Sequence, residues 1–363
     1  MLLFLGAGAS KAVGIGDLQD LSEKVNKELS SNGYGHVLTE IIDVLYRANK
    51  KRHFFNEGEI DIEVTLSVLN ARANHINAMK ESGPYSIYLE ELGRLASPFD
   101  KELPTKEDVS KIKKIVSRII TRSCIQYDAT KATKYYEELF NLKNDVTSYR
   151  NATQNIKGPA VFDNIVTTNY DLVVDNYYAH IDKDLDRGFD KGDSSDEKML
   201  NLRRIQTQIT DDDIQYLQLH GSIDWWLRKR DNKIVKRENP KSLRGEQYPE
   251  QIMVYPIYEK HISQDPFFSL YSYFRRLLYS RDIYIVIGYS FRDPSINNAF
   301  GDVLRDKTES RMIIVNPNKA SIEKRVKENF PIEKVDIIEK AFGDNNLPSN
   351  LKDCLMNFEH DGL

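Results

Sequence analysis

Each of five apolar runs in this sequence ends directly at a glycine-rich or polar motif, and this arrangement constrains the fold more than any other feature. Apolar runs of about four to eight residues that alternate with helical segments indicate βαβ units, in which helices cover both faces of a parallel sheet. Ligands of such sheets bind outside the carboxyl ends of the strands, so we expect the five motifs to converge on one crevice. The motifs are GAGAS (6–10), TTNYD (167–171), LHGS (219–222), GYSFRDPSIN (288–297) and VNP (315–317).

The fold class that this pattern predicts is α/β. We expect a Rossmann-like parallel six-stranded sheet with helices on both faces, together with a large, mostly helical insertion. The strands are predicted at residues 2–5, 160–168, 216–219, 283–287, 312–315 and 335–338, and helices at 267–278, 296–304 and 321–329. Residues 182–213 open with a charged stretch that is poor in large apolar side chains, which predicts a surface loop or a partly disordered excursion.

The predicted domains follow from the change of period along the chain. Residues 1–16 and 159–345 form the Rossmann domain, residues 17–158 a helical module, and residues 346–363 a helical tail. Aliphatic stripes on the helices of the module are typical of ordinary packing, and their functional alternative is an oligomer or partner face. The basic runs at 50–52 and 111–114 are expected to be solvated, with a nucleic-acid-sensing surface as the alternative.

The composition excludes several classes of protein. Hydrophobic residues make up 40% and charged residues 29% of the 363 positions, as in folded proteins, and the net charge of −4 gives no overall basic excess for nucleic-acid binding. The two cysteines, Cys124 and Cys354, form no CxxC pair, so a four-thiolate zinc site is excluded. No apolar run reaches the ~20 residues of a membrane span and no leader pattern precedes residue 6, so we expect a cytoplasmic protein without membrane partners.

The glycine turn after the first predicted strand has two interpretations. Gly6 and Gly8 allow a backbone to approach a diphosphate, whose charge the following helix N-terminus would favour. The third glycine of a GxGxxG fingerprint would fall at Lys11, so the turn alone leaves phosphate binding and a merely tight turn equally open.

The five motifs, in this order and context, resemble those of the SIR2-like, sirtuin-related family. Sirtuins carry GAG, Gln-Asn-Ile-Asp, His-Gly, Gly-Thr-Ser and Val-Asn motifs around NAD, and the resemblance spans residues 2 to about 340, with 17–158 less typical. It implies that the Rossmann domain binds NAD as a substrate. Several motifs in order are more specific than any one of them.

The resemblance also implies the residues of the site. Asn169 would fix the nicotinamide ribose and the attacking water, and His220 would be the general base. The implied cofactor-binding residues are Gly6, Ala7, Gly8, Ser10, Thr168, Asp171, Gly288, Ser290 and Asn316. Among these, residues 6–10 would hold the diphosphate, Asp171 the carboxamide, Ser290 a ribose or phosphate, and Asn316 the adenosine ribose.

The chemistry of NAD cleavage requires these residue types independently of the family. Breaking the bond from nicotinamide to ribose passes through an oxocarbenium-like state, and the leaving group is already cationic, so one base is sufficient. Histidine accepts protons near neutral pH, and asparagine orients water without adding charge.

The sequence departs from the deacylating sirtuins at two places. Those enzymes carry four zinc cysteines and a Phe-Arg-Ser after the glycine loop, whereas this chain has two cysteines and the sequence KAVG at 11–14. The zinc-free relatives resemble bacterial antiphage effectors that hydrolyse NAD to nicotinamide and ADP-ribose. This resemblance implies a homo-oligomer through the helical region and possible partners such as an ATPase or a nucleic-acid-guided sensor.

Each candidate residue has a structural alternative. His220 could have a purely structural role. Asn169 and Asp171 could cap a helix that starts near Tyr170. For Asp293-Pro294 we favour the structural role of a helix start. Trp225 and Trp226 are expected in the core rather than in the pocket. We therefore carry an NAD glycohydrolase as the first hypothesis, an NAD or ADP-ribose sensor without cleavage as the second, and a protein deacylase as the least favoured.

Overall fold

A computed structural model describes most of the chain. The described residues are 1–37, 39, 43, 106–154, 162, 164–183, 185–191, 197–206, 214–237, 250–254 and 265–360. The basic run at 50–52 lies outside them.

The larger sheet of the structure is parallel. In the described residues it contains seven strands, and each is hydrogen-bonded in parallel to its neighbours. In chain order these strands are β1 (Leu2–Leu5), β2 (Asn164–Thr167), β3 (Leu185–Asp186), β6 (Ile214–Gln218), β10 (Ile283–Ile287), β11 (Arg311–Val315) and β12 (Val335–Ile338), and their order across the sheet is β12-β11-β10-β1-β2-β6-β3. The α/β, Rossmann-like prediction is confirmed. The two-residue edge strand β3 adds a seventh strand to the six predicted.

The strand order reverses at β1. The chain continues from β1 to β2 on one side, while β10 pairs with the other side of β1 in the same direction. A crevice therefore opens at the carboxyl ends of β1, β2 and β10, which is the position where sheets of this kind bind ligands.

Helices cover both faces of the sheet, as predicted. The helices in chain order are α1 (Ala7–Ala12), α2 (Leu18–Ser31), α3 (Lys106–Cys124), α4 (Ala129–Gln154), α5 (Val173–His180), α6 (Leu202–Gln206), α7 (Phe267–Tyr279), α8 (Pro294–Asp306), α9 (Lys319–Asn329) and α10 (Leu347–His360). Leu3 and Leu5 pack with α4, α5 and α10 on one face, and Leu2 and Phe4 pack with α7, α8 and α9 on the other. Burying each such side chain contributes about 1.5–3 kcal/mol, so the alternating pattern fixes the register of β1.

A second, antiparallel sheet lies beside the parallel one. Its five strands, β4 (Phe189–Lys191), β5 (Glu197–Leu200), β7 (Gly221–Arg228), β8 (Lys233–Arg237) and β9 (Glu250–Met253), lie in the order β4-β5-β8-β7-β9. The prediction that 182–213 is a loop or a disordered excursion is wrong for the part that the structure describes, because β3, β4, β5 and α6 lie there. These strands are short and charged, so no apolar run marks them.

The chain divides into two compact units. One comprises Met1–Ile15, Cys124–Met253 and His261–Leu363, and the other comprises Gly16–Ser123 and Val254–Lys260. Helix α4, which the sequence placed in the helical module, packs on the sheet of the first unit. The domain limits themselves stay predictions.

The described helices α2 and α3 of the second unit bury their aliphatic stripes. Val25 and Leu29 of α2 are fully buried, as are Ile112 and Val116 of α3, so these stripes serve ordinary packing within the chain. Within the described residues, no helix combines the length and the apolar character needed to cross a membrane.

Candidate functional site

Two glycine turns pack directly against each other at the centre of the crevice. Gly288, at the end of β10, has φ +66°, and a Cβ atom there would lie 2.4 Å from the amide nitrogen of Ala9. A Cβ atom on Gly8 would lie 2.7 Å from the Cα atom of Gly288. Both contacts are far too short for a side chain, so these glycines are required for the close approach of the two loops.

The glycine turn already uses several of its backbone amides. The amide of Gly6 donates to the carbonyl of Ile287 over 2.9 Å, that of Gly8 to the carbonyl of Gly288 over 2.8 Å, and that of Ala9 to the carbonyl of Gly6 over 3.0 Å. The motif therefore has a structural role as a tight turn. Phosphate binding at residues 6–10 stays a prediction, and among its residues Ala7 is exposed.

Asn169 joins the second loop to the glycine turn. Its side-chain Nδ2 donates to the carbonyl of Gly6 over 3.0 Å and to the hydroxyl of Ser10 over 2.8 Å. The hydroxyl of Thr167 accepts from the backbone amide of Asn169 over 3.0 Å and donates to the carbonyl of Leu5 over 2.9 Å. Both Nδ2 hydrogens are therefore used, and the side-chain orientation of Asn169 is fixed. Its Oδ1 atom, a hydrogen-bond acceptor, is the atom that can orient water.

Asp171 is buried against the same turn. Its Oδ2 accepts from the hydroxyl of Ser10 over 2.5 Å, and its Oδ1 accepts from the amide of Val173 over 3.0 Å. Burial raises the pKa of the Asp171 carboxyl, and the hydrogen bonds from Ser10 and Val173 oppose this increase only in part. The second contact lies at the start of α5, so Asp171 supports that helix start, which falls at Val173 rather than near Tyr170.

His220 lies on the next loop, after β6. Its residue exposure is 5%, and the ring centroids of His220 and Tyr170 are 6.3 Å apart. Backbone bonds place the loop, since the amide of Leu219 donates to the carbonyl of Thr167 over 2.9 Å and that of Ile223 to the carbonyl of Tyr170 over 3.0 Å. His220 and Asn169 therefore follow neighbouring strands.

Two residues that the sequence did not predict as site residues contact His220. Its Nε2 lies 2.9 Å from the hydroxyl oxygen of Tyr271 and 3.6 Å from Oδ2 of Asp293. Burial, followed by the negative charge of Asp293, raises the pKa of the Tyr271 hydroxyl far above its ordinary range, so this phenol stays protonated. Tyr271 lies on α7, where the sequence shows only an aromatic residue of an amphipathic helix. Nothing in that pattern distinguishes it from core.

The remaining predicted residues lie around the crevice with different exposures. Thr168 follows β2 and is half-buried, and its amide donates to the carbonyl of Leu5 over 3.3 Å. Ser290 is exposed. Asn316, half-buried after β11, donates from Nδ2 to the carbonyl of Tyr289 over 3.5 Å, and its Oδ1 accepts from the amide of Asn318 over 2.9 Å.

The structure thus brings all five motifs to one edge of the sheet. The buried polar groups, Ser10, Asp171 and His220, lie after β1, β2 and β6, while the exposed Ser290 lies on the opposite side of β1. At one end of this edge His220 is shielded from water and can act as a base. At the other end, near Ser290, the edge is open to solvent and can bind a polar group.

Trp225 belongs to the core, as expected. It is 1% exposed, and its ring centroid lies 5.2 Å from that of Phe189 in an edge-on arrangement. Trp226 is half-buried and packs with Val235 and Met199 of the antiparallel sheet. Both side chains stabilise the small sheet and its attachment to the larger one.

Comparison with family models agrees with this geometry. Residues 163–334 match the SIR2-like domain, from the residue before β2 to the residue before β12. Among curated proteins, no relative matches the chain. Among the described residues, no group of three His, Cys, Asp or Glu side chains is placed to hold a metal ion. Four of the five motifs lie within the matched residues, so residues 163–334 carry the SIR2-like domain that the family model describes.

Proposed function

We propose that this protein is an NAD⁺ glycohydrolase, which cleaves NAD⁺ with water to nicotinamide and ADP-ribose. The SIR2-like domain indicates a function connected with NAD. The observation that carries the finer proposal is the contact of Asn169 with the glycine turn, with His220 on the adjacent loop. One amide and one imidazole at the same crevice are the groups that the hydrolysis needs.

The residues of the crevice fit a dinucleotide. The paired glycine turns pack against each other without an intervening side chain, so they bring the loops after β1 and β10 to one place. The exposed Ala7 and Ser290 lie on this side. The Asn169–Ser10–Asp171 cluster, in which Ser10 and Asp171 are buried, lies toward β2, and its acceptor oxygens suit the cationic nicotinamide end better than the anionic diphosphate.

The proposed reaction needs one base and one oriented water. When the bond between nicotinamide and ribose breaks, its electron pair goes to the ring nitrogen and neutralises the cationic leaving group. Oδ1 of Asn169 accepts a hydrogen from the water that forms the new bond to the ribose carbon. His220 takes the proton that this water loses.

The test is the release of nicotinamide from NAD⁺ by the purified protein. We expect Asn169→Ala and His220→Ala each to lower turnover by at least about 100-fold, because general-base catalysis alone contributes about 10²–10⁴-fold. The matched controls are Asn176→Ala and His180→Ala, which change exposed residues of α5 and should leave turnover unchanged. Full activity in both site variants would remove the mechanism.

A sensor that binds NAD or ADP-ribose without cleaving it is the second candidate. It is favoured by the contacts within the protein that already engage both hydrogens of Asn169 Nδ2 and the Nε2 nitrogen of His220. Calorimetry would then show binding of NAD⁺, while no nicotinamide would form at any protein concentration.

The cellular role that fits the resemblance is antiphage defence in the cytoplasm. Depletion of NAD by a soluble effector requires that the enzyme is silent until a signal arrives. We propose that a homo-oligomer, or a partner such as an ATPase or a nucleic-acid-guided sensor, supplies this control. Nicotinamide release by the protein alone, compared with release after a partner is added, distinguishes the two forms of control.

A further inference from the structure

Three side chains from three separate elements form a continuous polar chain that ends at His220. The Nε2 nitrogen of His220 lies 2.9 Å from the Tyr271 hydroxyl oxygen, and this hydroxyl donates to Oδ2 of Asp293 over 3.4 Å. Their residue exposures are 5%, 5% and 7%, so the chain is shielded from bulk water. Polar contacts in such an environment are stronger than at the surface.

The carboxylate at the end of this chain is held by contacts of its own. Oδ1 of Asp293 accepts from the amides of Ser295, over 2.9 Å, and Ile296, over 3.5 Å, at the start of α8. The Asp293 carbonyl accepts from the amide of Asn297 over 3.0 Å. One oxygen of the carboxylate therefore caps the helix and the other faces Tyr271. The sequence favoured helix capping for Asp293, and the structure adds the second contact.

The turn before Asp293 is strained in a way that helps to place it. Phe291 has φ +55° and is 1% exposed, and its carbonyl accepts from Nδ2 of Asn297 over 2.9 Å. A residue with a Cβ atom in the left-handed region costs of order 1–3 kcal/mol and persists where the surroundings require it. The core packing around the Phe291 ring holds the backbone in this conformation and so fixes the path of the polypeptide toward α8.

The donors among these three side chains are assigned from the bond that Tyr271 donates to Asp293. A carboxylate only accepts, and the Tyr271 hydroxyl has one hydrogen, which it gives to Asp293. The hydroxyl oxygen is then the acceptor for Nε2–H of His220. In a neutral imidazole with its hydrogen on Nε2, the basic lone pair belongs to Nδ1.

We propose that Asp293, acting through Tyr271, is a positioning residue that keeps the hydrogen of His220 on Nε2 and so makes Nδ1 the nitrogen that accepts the proton. This inference rests on the proposed hydrolysis for its catalytic consequence. Its structural content, the tautomer of His220, can be tested independently of any reaction.

The kinetic test uses Asp293→Asn in the full-length protein. Asparagine caps helices as well as aspartate, so α8 keeps its start while the carboxylate is lost. We expect kcat for nicotinamide release to fall about 10–100-fold with KM for NAD⁺ nearly unchanged, as when a carboxylate partner of histidine is removed. Tyr271→Phe should give a similar loss. The double variant should lose no more than the single ones, because all three act through His220.

The matched control is Asp302→Asn, which removes a carboxylate from the same helix. Asp302 pairs with Arg275 over 2.7 Å and with Arg305 over 3.2 Å, both at the exposed surface. This variant should keep full kcat. If Asp293→Asn also keeps full kcat while the wild-type protein cleaves NAD⁺, the positioning role is overturned and the proposed hydrolysis stands.

A second measurement does not depend on cleavage. The protein has seven histidines, so the ¹⁵N signals of the His220 ring can be identified by their loss in His220→Asn. We expect Nε2 to carry the hydrogen in the wild-type protein and to lose this preference in Asp293→Asn. A hydrogen on Nδ1 in the wild-type protein would overturn the inference, whether or not nicotinamide is released.

Discussion

Burial of the Asp171 carboxyl places an acidic side chain where its charge is poorly solvated. Burial is the main cause that raises its pKa, ahead of the hydrogen bonds from Ser10 and Val173 that lower it. Because the folded pKa exceeds the unfolded value of about 3.9, the folded state binds this proton more tightly. The contribution of Asp171 to stability therefore falls as the pH rises from about 4 to the folded pKa.

Replacement of Asp171 by asparagine tests whether the buried carboxyl makes the stability depend on pH. Asparagine cannot titrate, so the stability of Asp171→Asn relative to wild type should improve between pH 4 and pH 7, by about 1.4 kcal/mol for each unit of raised pKa. Urea denaturation at the two pH values measures the difference. A relative stability that stays constant, or that falls toward pH 7, would contradict the buried-carboxyl argument.

The sequence predicted the positions of some site residues but not the contacts of others. Asn169 and His220 follow apolar runs within short motifs, and their position at the carboxyl edge follows from the topology alone. Tyr271 could not be predicted, because its contact with His220 depends on how α7 packs and not on any local pattern. The Asp293-Pro294 pair predicted a helix start, and only the tertiary structure shows the second carboxylate oxygen facing Tyr271.

The two sheets are joined by a buried charged cluster centred on Arg187, between β3 and β4. Its Nη1 lies 2.7 Å from Oδ1 of Asp175 on α5 and 2.7 Å from Oδ2 of Asp224 on β7, and its Nη2 donates to Gln218 of β6. Burial alone would lower the pKa of Arg187, but the two carboxylates raise it above its usual range. Lys236 of β8 lies 3.8 Å from Asp175, so two cations balance two anions.

Loss of the central cation should loosen the attachment of the small sheet. We expect Arg187→Met to lower the free energy of unfolding by about 3–5 kcal/mol, because it leaves two buried carboxylates with Lys236 as their remaining cation. Arg275→Met is the control, since the Arg275–Asp302 pair is 46% and 37% exposed and such pairs contribute about 0–1 kcal/mol. Chemical denaturation measures both variants. Equal losses would show that the buried cluster has no special role in stability.

Elements were predictable where hydrophobic burial decides them. The strands β10 and β12 lie at the predicted residues, because β10 is apolar throughout and β12 packs Val335 and Ile337 against one core cluster and Ile338 in the other. The antiparallel strands were missed since β5 (EKML) and β8 (KIVKR) are only four and five residues long, and each contains just two apolar residues. Their stability comes from Arg187, Trp225 and the partner strands, which are distant in sequence.

The candidate site is a property of the whole first unit rather than of one segment. Its residues come from loops after β1, β2 and β6, from α7 and from the start of α8, so no local segment can form it. Long-range assembly of this kind couples the geometry of the site to global folding. A change elsewhere in this unit can therefore alter the geometry of the site without contacting a ligand.

Control by oligomerisation predicts that turnover depends on protein concentration. We expect nicotinamide release per chain to rise over the range in which light scattering shows the mass increasing above 42.0 kDa, because association follows mass action. His220→Ala should show the same increase in mass without activity, which separates assembly from catalysis. The aliphatic stripes of α2 and α3 are buried within the chain, so the contact must use another surface. Constant turnover per chain across the change in mass, or cleavage by a chain that remains at 42.0 kDa, would contradict this form of control.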